Sequence, residues 1–434
     1  MEPSRIGVEG ALSRGNTALA ADDGPEPWDA LSWSGMSLGG LLAAVADRHP
    51  DRPAFRDQPD REQWSGRPRI DWTYRFAGDV AGRLARYLAK LNLPPRSPIG
   101  ICLPNGSEAC LALLAVEEAG HLPCLLPVAW SEAELAEAVE GVGVQGIITQ
   151  GIVGEERPAE TFCRLAARYF GLRFVMSFGP LVPDGVIDLD RVILDAPDGE
   201  ASSLAPRESG VVTFERRGER WQPVYRGCAS IVAAAVAYLV HVKVNPGERI
   251  LSLLAPDDHR GLTTGLVASL VSGATLECHG LFEAAAFSAA LGQAQPTHLV
   301  VPGWMEPAFG AAGLERLRSL AIVHMAPARF RARPALRGTV IDVLAFGETA
   351  LLVRARDEEG HFALTLDEDP RRGGTARGLL QVRREADGRI FFAGPAADAR
   401  PFDRGAGPAA VAEDGWVASG FKADMFAGIV IGVS

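Results

Sequence analysis

The sequence has no cysteine pair at metal-ligand spacing. Its six cysteines, Cys102, Cys110, Cys124, Cys163, Cys228 and Cys278, never stand as C-x-x-C. Zinc is left without support, and reduced thiols in apolar surroundings are the expectation. Basic charge is short as well: 43 Lys and Arg against 54 Asp and Glu leave a net charge of −11. That excludes a broad cationic surface, and with it nucleic acid as the main partner. The first 33 residues contain no apolar run followed by small residues, so no secretory signal is read there. No apolar stretch reaches membrane-spanning length. The most apolar helical segment, Ala229 to Val244, is short and carries His241 and Lys243. A cytoplasmic protein is expected.

What is present is a globular composition, 47 % hydrophobic and 22 % charged over 434 residues, enough chain for two or three packed subdomains. Residues 1–36 are Gly-, Asp- and Pro-rich and read as loosely ordered. From Ser37, a good N-cap, Leu38, Leu41, Leu42 and Val45 recur at helical spacing until His49-Pro50 stops the helix. Short apolar runs then alternate with amphipathic helices. Strands are predicted at Ile70–Tyr74, Ile99–Leu103, Cys124–Pro127 and Gly146–Thr149, with helices at Phe76–Leu91, Ser107–Ala119 and Ser131–Glu140. The alternation resumes with strands at Arg249–Ala255, Ala274–Cys278 and His298–Val301 and helices at Gly261–Ser272 and Ala284–Gln293. Such alternation implies crossover units and parallel sheets covered on both faces. From about residue 350 the pattern changes to short strands, Leu351–Arg354, Phe362–Thr365, Leu379–Val382 and Arg389–Phe392, between Asp, Glu and Gly turns. The expected fold class is α/β: subdomains at 37–210 and 211–349, and a smaller antiparallel β subdomain at 350–434.

The order and spacing of these segments resemble the adenylate-forming superfamily of acyl- and aryl-CoA ligases, luciferases and peptide-synthetase adenylation domains. The resemblance is carried by Ser37-Leu38, His49 to Phe55, Trp72-Thr73-Tyr74, Ile99 to Asn105, Glu117 to Gly120 and Pro123 to Pro127. It continues through Arg249 to Pro256 with His259 and Gly261, Gly273 to Leu276, Pro296 to Val300 and Glu413 to Trp416. It implies the large N-terminal domain of an AMP-dependent ligase, with ATP, Mg²⁺ and CoA as the family's cofactors. It also implies a C-terminal lid, and the sequence stops at Ser434, where the hinge to that lid would begin.

Carboxylate adenylation needs a phosphate cradle, groups holding ribose and adenine, and charge stabilisation in the transition state. At each counterpart position this sequence departs from what the resemblance implies. The Ser/Thr/Gly phosphate loop ending in Lys is replaced by Glu215 to Tyr225, in which Arg216, Arg217, Gly218 and Arg220 are the residues able to meet an anion. Against the adenine the family has a Gly-Gly-Ala-Pro-like turn. Here it reads His324, Met325, Ala326, Pro327, and two large side chains crowd the space. The aromatic-Gly-x-Thr-Glu signature reads Phe346, Gly347, Glu348, Thr349, Ala350. The metal-binding Glu is an Ala, with Glu348 two residues earlier able to point to the same face on an extended chain. Phe421 stands where an Asp would hold the ribose, and Asp424 is a poor substitute. His259, Gly261, Gly303 and Trp304 are candidates for walls of an acyl pocket, and ordinary core is the competing reading. No metal site and no catalytic residue is assigned.

Three readings follow. The first is a non-catalytic acyl-binding or partner subunit, pairing with an active ligase relative or a carrier protein. The second is an active acyl- or aryl-acid ligase with a rewired ATP site and its lid supplied in trans. The third is acyl transfer or hydrolysis, with only eight histidines to draw on. An acyl or aryl carboxylate or thioester is the expected small-molecule partner, and a homodimer is compatible with the resemblance.

Overall fold

The structure is a computed structural model that describes residues 35–196, 209–309, 316–329, 338–356, 378–408, 415–426 and 429–434. The strand expected at Phe362–Thr365 and the first residues of the Glu413–Trp416 stretch lie outside the described residues.

Local sequence sets the helix ends. The first described helix, Leu38–Arg48, starts where the Ser37 hydroxyl accepts from the Gly40 N–H, and it buries Leu38, Leu41, Leu42 and Val45. Its remaining free amides are closed from outside the helix. Leu38 and Gly39 donate to the carboxylate of Glu117 at 3.0 and 2.9 Å, and Glu117 sits near the end of the buried helix Ser107–Glu118. Helix Tyr74–Ala89 is capped by Thr73. Helix Glu132–Val142 has a full capping box from Ser131 and Glu134 and ends at Gly143, whose φ of 77° is the left-handed conformation that favours glycine.

Two large sheets carry the fold. One has nine strands in the spatial order Gly407–Pro408, Ala399–Asp403, Arg220–Gly227, Gly210–Arg217, Leu122–Leu125, Pro98–Ile101, Gly146–Gln150, Phe174–Phe178 and Ile187–Asp188. It is parallel from Gly210–Arg217 through to Ile187–Asp188. The other has eight, ordered Ala350–Ala355, Val340–Phe346, Leu317–Met325, Thr297–Pro302, Arg249–Ser252, Thr275–Cys278, Pro53–Asp57 and Asp71–Thr73. Its six inner strands are parallel and both edges antiparallel. One hydrophobic cluster runs through helices Leu38–Arg48, Tyr74–Ala89, Ser107–Glu118 and Cys228–Val242 and the strands of both sheets. A third, five-stranded antiparallel sheet joins Ala328–Arg329, Ile429–Val433, Trp416–Phe426, Arg389–Ala393 and Gln381–Arg384.

Sheet membership crosses the boundaries expected from sequence. Pro53–Asp57 and Asp71–Thr73 leave the first segment to join the eight-stranded sheet. Ala350–Ala355 joins that sheet too, and Ala399–Asp403 with Gly407–Pro408 joins the nine-stranded one. Sequence periodicity reports which residues are strand. It does not report which of two sheets a strand will complete. The segment expected as one helix, Gly261–Ser272, is broken: a turn at His259–Gly261, a π-helical stretch at Leu262–Val267 and an α-helical end at Ala268–Ser272. π-Helical insertions of this kind are rare in helices at large.

Candidate functional site

The counterpart of the phosphate loop is a tight hairpin. Strands Gly210–Arg217 and Arg220–Gly227 stay paired up to Arg217 opposite Arg220, leaving Gly218 and Glu219 as the turn, with Gly218 at φ 66°. The ladder keeps this backbone extended and commits every second amide of each strand to the partner strand, so the segment is not a loop that curls round a phosphate. The hairpin is fixed from the side. Trp221 packs on Trp130 with ring centroids 4.6 Å apart, Trp130 meets Phe214 edge-on at 5.2 Å, and the Trp221 indole N–H donates to Glu134 at 3.1 Å. Of the arginines expected to meet an anion, Arg216 lies over the Trp221 ring at 5.7 Å and Arg217 pairs with Glu215 at 2.9 Å. Arg220 is exposed.

The signature stretch forms the turn between strands Val340–Phe346 and Ala350–Ala355. Phe346 pairs with Ala350, and Thr349 N–H donates to the Phe346 carbonyl at 3.0 Å. The expectation that Glu348 would share a face with position 350 is therefore corrected. Residues 347–349 are a turn, and the two-residue alternation of an extended chain does not apply there. The Glu348 carboxyl points inward and is buried. It accepts from the Thr213 hydroxyl at 2.5 Å and, more weakly, from the His259 N–H at 3.3 Å. Burial, and then Asp258 nearby, push its pKa up to about 7. Gly347 has φ 54°, and the Glu215 side chain lies so close over it that a Cβ there would sit 2.1 Å from Glu215 Oε1.

Arg226, unassigned from sequence, completes this node. It is fully buried at the end of the hairpin. Its guanidinium donates to the carbonyls of Glu348, Thr349 at 3.3 Å and Ala396 at 3.4 Å, and to the Ser230 hydroxyl at 3.1 Å. Burial lowers its pKa to about 10. Thr349 of the signature stretch is buried beneath it.

His324 does not stand as a free base. Its ring lies against Gly303, where a Cβ would come within 2.5 Å of Nδ1, and Nε2 is 3.2 Å from Asp342. Asp342 also accepts from Arg356 at 2.9 and 2.6 Å, and Arg356 reaches Glu306 at 2.7 Å. Although buried, Asp342 is held below the usual carboxylate range by hydrogen bonds from Arg356 and His324. Met325 is half-exposed, Ala326 is buried and Pro327, behind a cis peptide bond, is exposed. Phe421, which stands where the resemblance implies an Asp, packs against Phe346, centroids 6.0 Å apart, and Phe346 against Phe392 at 4.8 Å. Asp424 instead accepts from the Ser434 hydroxyl at 3.0 Å.

The pocket-wall candidates part company. His259 is fully buried, with Nδ1 3.1 Å from the Thr263 hydroxyl. Burial and the nearby Arg226 hold it well below the ordinary histidine value, so it is neutral. Gly261 packs directly on the Ala255 carbonyl, which a Cβ would meet at 1.6 Å. Gly303 is covered by His324. Trp304, a candidate pocket wall with ordinary core as the competing reading, is 73 % exposed on a 3₁₀ turn, while Met305 takes the buried place. A helical 3₁₀ turn turns adjacent side chains about a third of a revolution apart, which is why one of the pair faces out.

Two further features bear on chemistry. The sequence contains the string Gly35-Met36-Ser37-Leu38-Gly39, the spacing of a hydrolase nucleophile turn. Ser37 is spent as a helix cap on Gly40, and no strand among the described residues leads into it. The chain also has only three lysines, Lys90, Lys243 and Lys422, and none is in the hairpin.

The family model described as AMP-binding enzyme matches residues 42–170. The structure is similar to apo MbtA from Mycobacterium smegmatis, with a TM-score of 0.72 at 18 % identity over 93 % of this chain and 77 % of that one. It is also similar to the N-terminal domain of FACL13 from Mycobacterium tuberculosis, with a TM-score of 0.70 at 15 % identity over 92 % and 98 %. The chain has the adenylate-forming, acyl/aryl-CoA synthetase-like fold. Among curated proteins it is 26 % identical over 248 residues to the salicyl-AMP ligase / salicyl-S-ArCP synthetase of Mycobacterium tuberculosis, covering 56 % of this chain and 42 % of that protein. It is 32 % identical over 114 residues to phosphinothricin tripeptide synthetase PhsC of Streptomyces viridochromogenes, covering 26 % of this chain and 10 % of that protein. The chain thus spans less than half the length of either. Within the adenylate-forming fold, the hairpin, the 347–349 turn and Phe421 come from three different parts of the sequence. The Thr213–Glu348 bond and the Phe346–Phe421 contact tie them together. No described helix is long and apolar enough to cross a membrane.

Proposed function

We propose that this chain is an adenylate-forming-fold protein that does not adenylate a carboxylate by itself and serves as a non-catalytic partner subunit of an active ligase or carrier protein. The observation that carries the proposal is the inward Glu348 carboxyl, buried, bonded to Thr213 and with its pKa raised to about 7, so that it is only about half-ionised near pH 7. Three further observations support it. Glu215 fills the space over Gly347, where a phosphate would have to approach the backbone, and it brings negative charge there. The hairpin strands are held in register with each other up to Arg217 and Arg220, and the terminal nitrogens of Arg226 donate to the carbonyls beneath. Phe421 offers no acceptor to a ribose. The residues present do not fit a magnesium-bound triphosphate. Within the two named roles the partner role is preferred, because His259, Gly261 and Gly303 are packed against protein instead of lining an open pocket. The similarity to a salicyl-AMP ligase / salicyl-S-ArCP synthetase makes carrier proteins and aryl-acid ligases the partner classes to try first.

The test is thermal unfolding with and without ATP and Mg²⁺ well above millimolar. A ligand at a hundred times its dissociation constant adds about 2.7 kcal/mol to native stability. The expected result is an unchanged midpoint, with pyrophosphate release at background across a panel of acyl and aryl acids. A clear nucleotide-dependent rise overturns the proposal and assigns the exposed tip of the hairpin a phosphate-binding role.

A further inference from the structure

A cationic groove lies away from all of these residues. Strands Pro98–Ile101, Leu122–Leu125, Gly146–Gln150 and Phe174–Phe178 run parallel and begin at one common edge. A groove of about 700 Å³ opens at that edge, lined by residues at or just before all four strand starts and by the loop after Ala399–Asp403. Ligands of open α/β sheets gather at the other, carboxyl ends of the strands, so this groove is not part of the site described above.

Its composition opposes that of the whole molecule. The chain carries a net charge of −11. Yet Arg96, Arg173 and Arg404 line the groove, and no Asp or Glu is among its described lining residues. Two of these guanidinium groups are held in place. Arg404 lies 5.8 Å over the Tyr169 ring, rests on Gly143 and donates to the Glu140 carbonyl at 3.2 Å, closing the C-terminus of helix Glu132–Val142. Arg173 lies 5.6 Å over Phe174. Stacked guanidinium groups lose less rotamer entropy when they bind and retain unused donors at their edges. Beside them Phe170 is 90 % exposed. An exposed aromatic ring within a cluster of arginines is the composition of interface hot spots.

We propose that this groove docks an acidic segment of a protein partner, its carboxylates meeting Arg96, Arg173 and Arg404 and an apolar side chain covering Phe170. Charge complementarity selects the occupant: a segment rich in Asp and Glu gains from the local cation cluster, whereas a basic one is repelled by it. Partner binding here is independent of the nucleotide-site residues and stands or falls without the proposed function.

The experiment is fluorescence anisotropy of the full chain with a labelled peptide of alternating Glu and Leu, and with its Lys–Leu counterpart as control. Expected are saturable binding of the acidic peptide, no binding of the basic one, and an affinity that falls as salt is raised. Arg173→Glu and Phe170→Ala should each weaken the acidic peptide by about tenfold or more. Both side chains are exposed, so unchanged unfolding midpoints verify the fold. Arg173→Glu should also start to accept the basic peptide. Failure of the acidic peptide to bind saturably overturns the proposal, as does equal binding of the two peptides or insensitivity to both variants. Sedimentation of the same samples supplies the remaining outcome. A dimer that Arg173→Glu dissociates gives the groove to a second copy of this chain and overturns the assignment to a partner.

Discussion

Thr213 and Glu348 meet across the two large sheets. Thr213 belongs to the nine-stranded sheet and Glu348 to a turn at the edge of the eight-stranded one, and the Thr213 hydroxyl donates to Glu348 Oε2 at 2.5 Å. Glu348 is buried and its pKa is raised from 4.5 to about 7, by burial first and by Asp258 second. The folded state therefore holds a proton that the unfolded chain has already released above about pH 5. That contribution to stability is complete below the unfolded value and is lost as pH rises through about 7. At 1.36 kcal/mol per unit, Glu348 accounts for a loss on the order of 3 kcal/mol between about pH 5 and about pH 8. Glu348→Gln keeps an acceptor for Thr213 and cannot ionise. Urea denaturation should find the variant close to the parent at the acid end and progressively more stable relative to it at the alkaline end. Asp257, raised to about 7 by burial and Asp258, is untouched and leaves a residual slope in both proteins. Parallel pH profiles for the two proteins would count against the buried carboxyl.

Gly347 carries two separable costs to substitution. Its φ of 54° disfavours any side chain, and the Glu215 carboxylate occupies the Cβ position. Gly347→Ala should destabilise by about 2–4 kcal/mol, of which about 1–2 kcal/mol is the left-handed backbone. In the background of Glu215→Ala the same change should cost only the backbone part. A double-mutant cycle of these two positions measures the difference as a coupling energy. Strict additivity would mean that the Glu215 side chain does not lie over Gly347.

The hairpin's rigidity rests on Trp221. Its ring packs on Trp130 and its N–H is satisfied by Glu134. Trp221→Ala removes both and should cost about 2–4 kcal/mol. Hydrogen exchange locates the effect. Amides near the Gly218 turn should lose protection, while those of Gly146–Gln150 in the same sheet should change only as far as global stability falls. Uniform loss across the sheet would show that the hairpin is not a separately held unit.

Much of the α/β core was legible because its signals are local. The Ser37 cap and the period of Leu38, Leu41, Leu42 and Val45 are written within one helix. The resemblance located the counterpart positions, and the replacement of a Ser/Thr/Gly loop by Glu215 to Tyr225 was visible as a list of side chains. Where those side chains go was not. Glu348 was read on an extended chain, and the turn at 347–349 reverses it. Trp304 was read as a pocket wall or as ordinary core, and the 3₁₀ turn after Pro302 exposes it. Arg226 carried no sequence signal beyond a charge inside the apolar strand end Val224–Gly227. Its partners, Glu348, Thr349 and Ala396, are more than a hundred residues away along the chain, and only the closed sheets bring them together. Ser37 was legible as a cap although its neighbours also spell the spacing of a nucleophile turn, and its hydroxyl is the cap.

Phe421 gives the most direct trial of whether one missing contact separates this chain from a nucleotide-binding relative. The ring packs on Phe346, which packs on Phe392, within an apolar cluster that includes Leu344, Ile390 and Val430. Phe421→Asp supplies the carboxylate that the resemblance places against a ribose, but it also sets a charge against that cluster. The variant should lose about 1–3 kcal/mol of stability, from the lost packing and from the desolvation of the new carboxylate. ATP with Mg²⁺ should still leave its unfolding midpoint unmoved, because Glu215 and the paired hairpin backbone remain where the phosphates would lie. A nucleotide-dependent rise in Phe421→Asp, absent from the parent, would show that the ribose contact alone was missing. The Glu348–Thr213 bond would then have to yield when nucleotide binds.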